Sequence, residues 1–316
     1  MSARAGELGL LALGLAAAVG LAEAGVRLTG LTERRPTGYA PVASGARAAL
    51  PRNSRGYRDR ERTPPKPPGV RRVVCLGDSF TWGHGVEFGD AYPQRLERAL
   101  PDRLGGAWEV VNLAMPAMGT LDAASVLERE GLAYEPDVVL LGYVLNDAED
   151  AGSAEARRAE DWRLAKGPPP SAADRLAVVR LVRLRLWAAA ENRRRGANVR
   201  ALYAPDAQGW VAGRKALTTM AAGCRAKDIP FVVAIFPLFG NPLDERYPFA
   251  DLHAHVAEAA RSAGARVVDL LPTFHGLRWD VLVVDGADDE HPNEVAHRIA
   301  ANRILRALAE LAGTRR

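Results

Sequence analysis

From Arg71 onward the chain alternates between short, almost unbroken apolar runs and longer stretches whose apolar residues recur every three or four positions. The short runs are 72–76, 109–113 (EVVNL), 137–142 (DVVLLG), 230–236 (PFVVAIF) and 265–270 (ARVVDL). They are rich in β-branched residues and too short for helices, so they predict strands buried on both faces, as in a parallel sheet. Residues 90–100, 120–132, 211–227 and 249–263 carry the helical period between them, and a last helix is expected over 293–312. This alternation predicts an α/β domain with helices covering both faces of the sheet.

Outside that region the pattern changes. Residues 8–22, LGLLALGLAAAVGLA, are apolar without a break, and Glu23 and Arg27 follow at helical spacing. Fifteen residues are short for a bilayer span, but extension to Leu31 supplies the length. A signal-peptide reading also fits, with Arg4 ahead of the apolar run and Ala22-Glu23-Ala24 as a cleavage-like site. A retained anchor is the preferred expectation. Residues 32–70 are rich in Pro, Gly and Arg, and Pro64-Pro65-Lys66-Pro67-Pro68-Gly69 predicts a stiff extended spacer. Within it, Asn53-Ser54-Arg55-Gly56-Tyr57-Arg58 has the composition of an ordered turn, either docked on the domain or part of a tether. The alternation is broken again over 148–205, which ends in the nearly all-round apolar stretch RLAVVRLVRLRLW at 175–187. That stretch suits packing on the domain with its arginines snorkelling, or a membrane surface or substrate lid. The expected division is therefore a segment 1–31, a linker 32–70, and a domain 71–316 with an insertion at 148–205.

Composition narrows the functions little. Hydrophobic content of 48% and charge of 25% are those of an ordinary globular protein. The net charge of +4 comes without a basic stripe interleaved with aromatics, which argues against nucleic acid and suits an anionic membrane better. Cys75 and Cys224 form no CxxC or metal-ligand pattern and read as small buried residues. No metal or organic cofactor is expected.

The chemistry gathers at the predicted strand ends. The first strand runs into Gly77-Asp78-Ser79-Phe80, a glycine that permits a sharp turn followed by a small nucleophile. Ser79 then lies at the C-terminal edge of the sheet, where open α/β folds bind ligands; the plainer role is a helix cap. A serine needs a base. Of the six histidines, His253 and His255 face different ways on one helix, His297 reads as a packing or surface residue of the last helix, and His275 has no evident partner. His84, in Gly83-His84-Gly85, is near enough to Ser79 to line a site. His291 follows Asp288 by three residues and precedes the last helix, on the same sheet edge as Ser79. Two further strand ends offer oxyanion donors: the turn Asn112-Leu113-Ala114-Met115-Pro116-Ala117-Met118-Gly119-Thr120, and Tyr143-Val144-Leu145-Asn146-Asp147 with its amide side chain.

These residues resemble the SGNH (GDSL-type) hydrolases. Gly77-Asp78-Ser79-Phe80, with Thr81-Trp82-Gly83-His84-Gly85-Val86 behind it, is similar to the family's first block, Asn146-Asp147 to its third, and Asp288-x-x-His291 with Pro292-Asn293 to its fifth. The likeness covers about residues 71–312, and Asn53 to Arg58 also resembles a segment upstream of the serine in some anchored members. It implies a flavodoxin-like fold with a five-stranded parallel sheet in the order 2-1-3-4-5. It also implies Ser79 as nucleophile, His291 as base, Asp288 as its orienting acid, and an oxyanion hole from the Ser79 N–H, the Asn146 side chain and the second-block residue. Asp78, His84, Gly119 and Asp147 are expected to line the site. Two positions depart from the family pattern: Ala117 stands at the oxyanion glycine and Val144 two residues before Asn146, where glycine is usual. Gly119 is a substitute donor for the first. Asp285 and Asp289 also flank His291, so the choice of Asp288 rests on family spacing.

The expected activity is ester hydrolysis through a Ser79 acyl-enzyme, on a small-molecule, lipid or polysaccharide ester, by a domain held outside the cytoplasm by an N-terminal helix or secreted after cleavage. The same residues would serve an O-acyltransferase or deacetylase acting on a cell-envelope polysaccharide. A third reading, an anchored binding module that has lost catalysis, has only Ala117 and Val144 in its favour.

Overall fold

The computed structural model describes residues 2–32, 52–150, 152, 155, 167–284 and 290–314. Of these, 2–32, 155 and 167–198 cluster in one compact unit and the remainder in a second.

The second unit is built on five parallel strands, β1 Val70–Gly77, β2 Ala107–Asn112, β3 Val138–Tyr143, β4 Phe231–Ile235 and β5 Arg266–Asp269. Their order across the sheet is β2-β1-β3-β4-β5, as expected. Val73 to Leu76, Val139 to Leu141 and Val232 to Ile235 have no exposed surface, which is why these runs show no polar alternation. Each valine, leucine or isoleucine among them contributes roughly 1.5–3 kcal/mol by leaving water. Three helices belong to one side of the sheet, α4 Thr120–Arg129, α6 Gln208–Arg225 and α7 Ala250–Ala263; α3 Tyr92–Leu104 and α9 Glu294–Thr314 pack on each other. Two single-turn helices, α2 Ser79–Trp82 and α8 Leu271–Phe274, follow β1 and β5 directly. Chain direction across the sheet reverses at β1, so the C-terminal ends of β1 and β3 flank the switch point where such sheets bind ligands.

Cys75 and Cys224 are buried free thiols. His297, on α9, is wholly buried and serves the structure: its Nδ1 accepts the Tyr92 N–H at 3.2 Å, which caps the start of α3. The ring hydrogen is thereby left on Nε2. Burial, with the nearby Arg58, Arg95 and His291 charges, pulls the imidazole down to about 3. A histidine depressed in the folded state contributes stability that is present above its unfolded value near 6.5 and lost on acidification. Relative to His297→Asn, whose side-chain oxygen can still accept the Tyr92 N–H, the native chain should lose up to about 3 kcal/mol between pH 7 and pH 4. Parallel urea titrations across that range, in which carboxylates common to both proteins cancel, measure this difference. His275 departs from expectation: its Nε2 lies 3.1 Å from Glu245 Oε1 on the surface.

Residues 52–69 also differ from an extended spacer, because they are packed onto the sheet domain. Asn53 Oδ1 accepts the Arg55 and Tyr57 N–H groups at 3.1 and 3.0 Å and folds the turn around Gly56. Tyr57 is buried and donates to Glu130. Arg60 and Arg62 pair with Glu97 on α3, Lys66 with Asp137, and the buried Arg72 of β1 reaches back to the Thr63 carbonyl at 3.1 Å.

In the first unit, α1 (Ser2–Thr29) contains a stretch, Glu7–Thr29, of 23 residues that is long and apolar enough to cross a membrane. Its Leu8, Leu10, Leu11, Leu13, Leu15 and Leu21 are exposed. The expected Glu23–Arg27 pair forms at 2.7 Å. Glu23 also accepts the Ala177 and Val178 N–H groups at 2.8 and 3.0 Å, so it caps α5 (Ala177–Ala201), and Arg27 donates to the Arg175 carbonyl at 2.9 Å.

Candidate active site

The turn after β1 is set by Gly77. Its φ is +144°, and a Cβ there would lie 2.4 Å from Thr81 Oγ1 and 2.6 Å from the Gly142 carbonyl on the neighbouring strand. Asp78 then caps α2: its Oδ1 accepts the Phe80 N–H at 2.9 Å. The cap leaves Ser79 as the first helical residue, half-buried at the sheet edge. Thr81 packs inward, its hydroxyl 3.0 Å from that of Tyr92, and fills the space that Gly77 and Gly142 leave open.

His291 reaches Ser79 from the far end of the chain. Val284 donates to the His291 carbonyl at 3.0 Å, and Val283 bridges Pro292 in antiparallel fashion. Asn293 holds this clip from both sides. Its Nδ2 donates to the Val281 and Val283 carbonyls, while its Oδ1 accepts the Val295 and Ala296 N–H groups at the start of α9. The result is a His291 Nε2 to Ser79 Oγ distance of 2.8 Å, across 212 positions of sequence. The His291 ring is flanked by His84, at 4.3 Å between ring centroids, and by Phe80 at 5.5 Å. His84 is thus at the site. Asp288, Asp285 and Asp289 lie outside the described residues.

The third-block residues are beside Asp78. The Asn146 side chain lies close enough to the Asp78 carboxylate, which is 1% exposed, to favour its charged form. Burial pushes Asp78 up to about 6, against the stabilising Phe80 N–H, the His291 charge and Asn146. Asp147 is also buried and accepts the Val144 N–H at 3.4 Å; burial and the Asp78 charge hold its carboxyl well above the usual range. Asp78 is the site residue whose role the sequence leaves open beyond lining the pocket. The Asx-cap pattern, an aspartate one position before a helix start, is the signal that exposes half of that role.

The second-block turn is a type II β-turn: Met118 donates to the Met115 carbonyl at 3.1 Å, Pro116 takes the second position and Ala117 the third, with φ +63°. That third position is the one glycine favours, which accounts for the family's usual residue. Ala117→Gly should therefore raise the unfolding free energy by about 1 kcal/mol, read as an increase in thermal midpoint. Gly119 does not present its N–H to the site, because Asp122 Oδ2 of α4 accepts it at 3.4 Å. Among the described residues the Ala117 N–H makes no hydrogen bond, and no group of three or more metal-ligating side chains occurs.

A sequence model of the GDSL-like lipase/acylhydrolase family matches residues 75–299. None of the curated proteins matches the chain. Among solved structures it is similar to a lipase/acylhydrolase from Enterococcus faecalis, at 18% identity over 76% of this chain and 96% of that one, with a TM-score of 0.46. It is also similar to a catalytic mutant of an acetylxylan esterase from Geobacillus stearothermophilus, at 15% identity over 75% and 93% of the two chains, with a TM-score of 0.47. A third is a psychrotrophic esterase from a Pseudoalteromonas species inhibited by monoethylphosphonate, at 15% identity over 77% and 99%, with a TM-score of 0.42.

Proposed function

This chain belongs to the GDSL-like lipase/acylhydrolase family, whose members hydrolyse ester bonds, and from that premise we propose that it cleaves a carboxylic ester through an acyl-enzyme on Ser79. The 2.8 Å approach of His291 Nε2 to Ser79 Oγ carries the reading, because it joins a nucleophile to a base within proton-transfer distance. For Nε2 to accept the hydroxyl proton, Nδ1 must carry the ring hydrogen, and Asp288, three residues earlier, is the carboxylate that would accept a hydrogen bond from Nδ1–H.

As Oγ bonds to the ester carbon, its proton passes to His291 and the carbonyl oxygen becomes an oxyanion. The Ser79 N–H, the Ala117 N–H and the Asn146 side-chain amide receive that charge. Collapse breaks the bond to the alcohol, which leaves with the proton from His291. Water, deprotonated in turn by His291, then releases the acid and restores Ser79. The residues do this without a metal or organic cofactor.

We place the catalytic domain outside the cytoplasm, tethered by a retained α1. The capping of α5 by Glu23 supports retention, since cleavage after Ala24 would remove that carboxylate. The test is hydrolysis of p-nitrophenyl esters of increasing acyl length by the detergent-solubilised chain, beside fluorophosphonate labelling. Turnover with labelling confined to Ser79 is expected, and the length optimum bounds the acyl pocket. Absence of both would overturn the reading. Labelling without hydrolysis would point to an acyl transfer that needs its own acceptor, such as an envelope polysaccharide.

A further inference from the structure

The family match begins at residue 75, yet two side chains from the segment before it reach into the active-site backbone. Arg58 is 1% exposed. Its guanidinium donates to three carbonyls of the turn that follows the nucleophile: Trp82 at 3.1 Å, Gly83, and Val86 at 2.5 Å. It also lies 5.0 Å from the Trp82 ring centroid. Among the described residues no carboxylate forms an ion pair with it; Glu87 acts on it only through its more distant charge, so the hydrogen bonds of this buried cation all go to backbone oxygens. A cation held this way costs desolvation without the return of a salt bridge, which makes it a poor device for stability alone. Gly83 is shaped to receive it: a Cβ there would sit 2.6 Å from Arg58 Nη1.

The neighbouring Asp59 is likewise buried. Its Oδ2 accepts the Asn112 N–H at 2.9 Å, at the end of β2. Asn112 passes the connection on, with Nδ2 donating to the Thr81 carbonyl at 3.1 Å and Oδ1 accepting the Ala114 N–H at 3.2 Å. Arg58 therefore grips the turn after α2, and Asp59 grips the start of the second-block turn. The gripped turn is also the one that holds the serine: the Gly83 and His84 N–H groups donate to the Ser79 carbonyl at 3.0 and 2.9 Å, and the same turn lays His84 on His291.

We propose that Arg58, supported by Asp59, is a positioning residue of the active site, acting through the Trp82–Val86 turn to hold Ser79 and the His84–His291 stack in register. On this view the upstream strap is a working part of the catalytic site. The inference rests on the ester-hydrolase reading above. An arginine suits the place because its planar fork reaches these carbonyls from two nitrogens, Nη1 for Trp82 and Gly83 and Nη2 for Val86, whereas the three N–H donors of a lysine sit on one nitrogen.

The experiment compares the full-length, solubilised protein with Arg58→Lys, Arg58→Gln, His84→Ala and the Arg58→Gln/His84→Ala double variant. It measures kcat and KM on p-nitrophenyl acetate, the fluorophosphonate labelling rate, and the thermal midpoint. The expected result for Arg58→Gln is a loss of about 10²-fold in kcat and a parallel loss in labelling rate, at nearly unchanged KM and at a temperature well below its melting point. Arg58→Lys should fall between the two. The double variant should be little worse than Arg58→Gln, since both act through one ring stack. Should the glutamine variant not fold, the lysine variant decides, with reduced kcat at constant KM supporting the inference. Wild-type kcat in the folded Arg58 variants would overturn it, as would effects of Arg58→Gln and His84→Ala that simply add. A native chain that neither hydrolyses ester nor takes the label removes the hydrolase reading itself, and this inference with it.

Discussion

Replacing Ser79 with alanine is expected to lower kcat for a soluble ester by about 10⁴-fold or more, and adding His291→Ala should then cost almost nothing further. The two residues share one piece of work. With Nε2 at 2.8 Å from Oγ, the imidazole acts as a base only while there is a hydroxyl to deprotonate. Once Oγ is gone, the remaining rate rests on binding and on the oxyanion donors, which neither substitution touches. The measurement is a double-mutant cycle on kcat with p-nitrophenyl acetate, with the thermal midpoint of each variant as a control for folding. A further tenfold drop in the double variant would mean that His291 has work independent of Ser79, such as activating water directly, and would count against the acyl-enzyme.

The parts of this arrangement that are readable from the sequence are those carried by burial and by order along the chain. Val73 to Leu76 and Val232 to Ile235 announce themselves because a strand buried on both faces has no polar positions to interrupt it. Ser79 and His291 stand out because each closely follows a strand or precedes a helix on the same sheet edge, although 212 positions separate them. Arg58 and Asp59 are opaque for the opposite reason. Asn53 to Arg58 read as an ordered turn, either docked on the domain or part of a tether, and only the three-dimensional arrangement shows three carbonyls and an Asn112 N–H waiting for Arg58 and Asp59. His297 is opaque in a similar way. Its place in an amphipathic helix does not disclose that the α3 N-terminus needs an acceptor just there. The tight fit around Gly77 also depends on a distant neighbour, Gly142, which meets it only through strand register.

That fit leads to the second large effect. Gly77→Ala should destabilise the domain by about 3 kcal/mol or more, lowering its thermal midpoint by roughly 6–12 °C for a domain of this size, and should also abolish ester hydrolysis in the protein that remains folded. Two costs act together. The backbone at φ +144° is one that a residue with a Cβ adopts only under strain, and the new methyl would stand 2.4 Å from Thr81 Oγ1 and 2.6 Å from the Gly142 carbonyl. The first contact can be relieved by Thr81→Ala; the second cannot, because Gly142 is held in the sheet between β1 and β4. The double variant Gly77→Ala/Thr81→Ala should therefore recover only part of the stability. It should recover little activity, since the strand end that aims α2 would still be displaced and Thr81 would no longer bond Tyr92. Full recovery of both would show that Thr81 alone sets the tolerance at Gly77. It would also remove the β1–β3 backbone contact as the feature that fixes where Ser79 points.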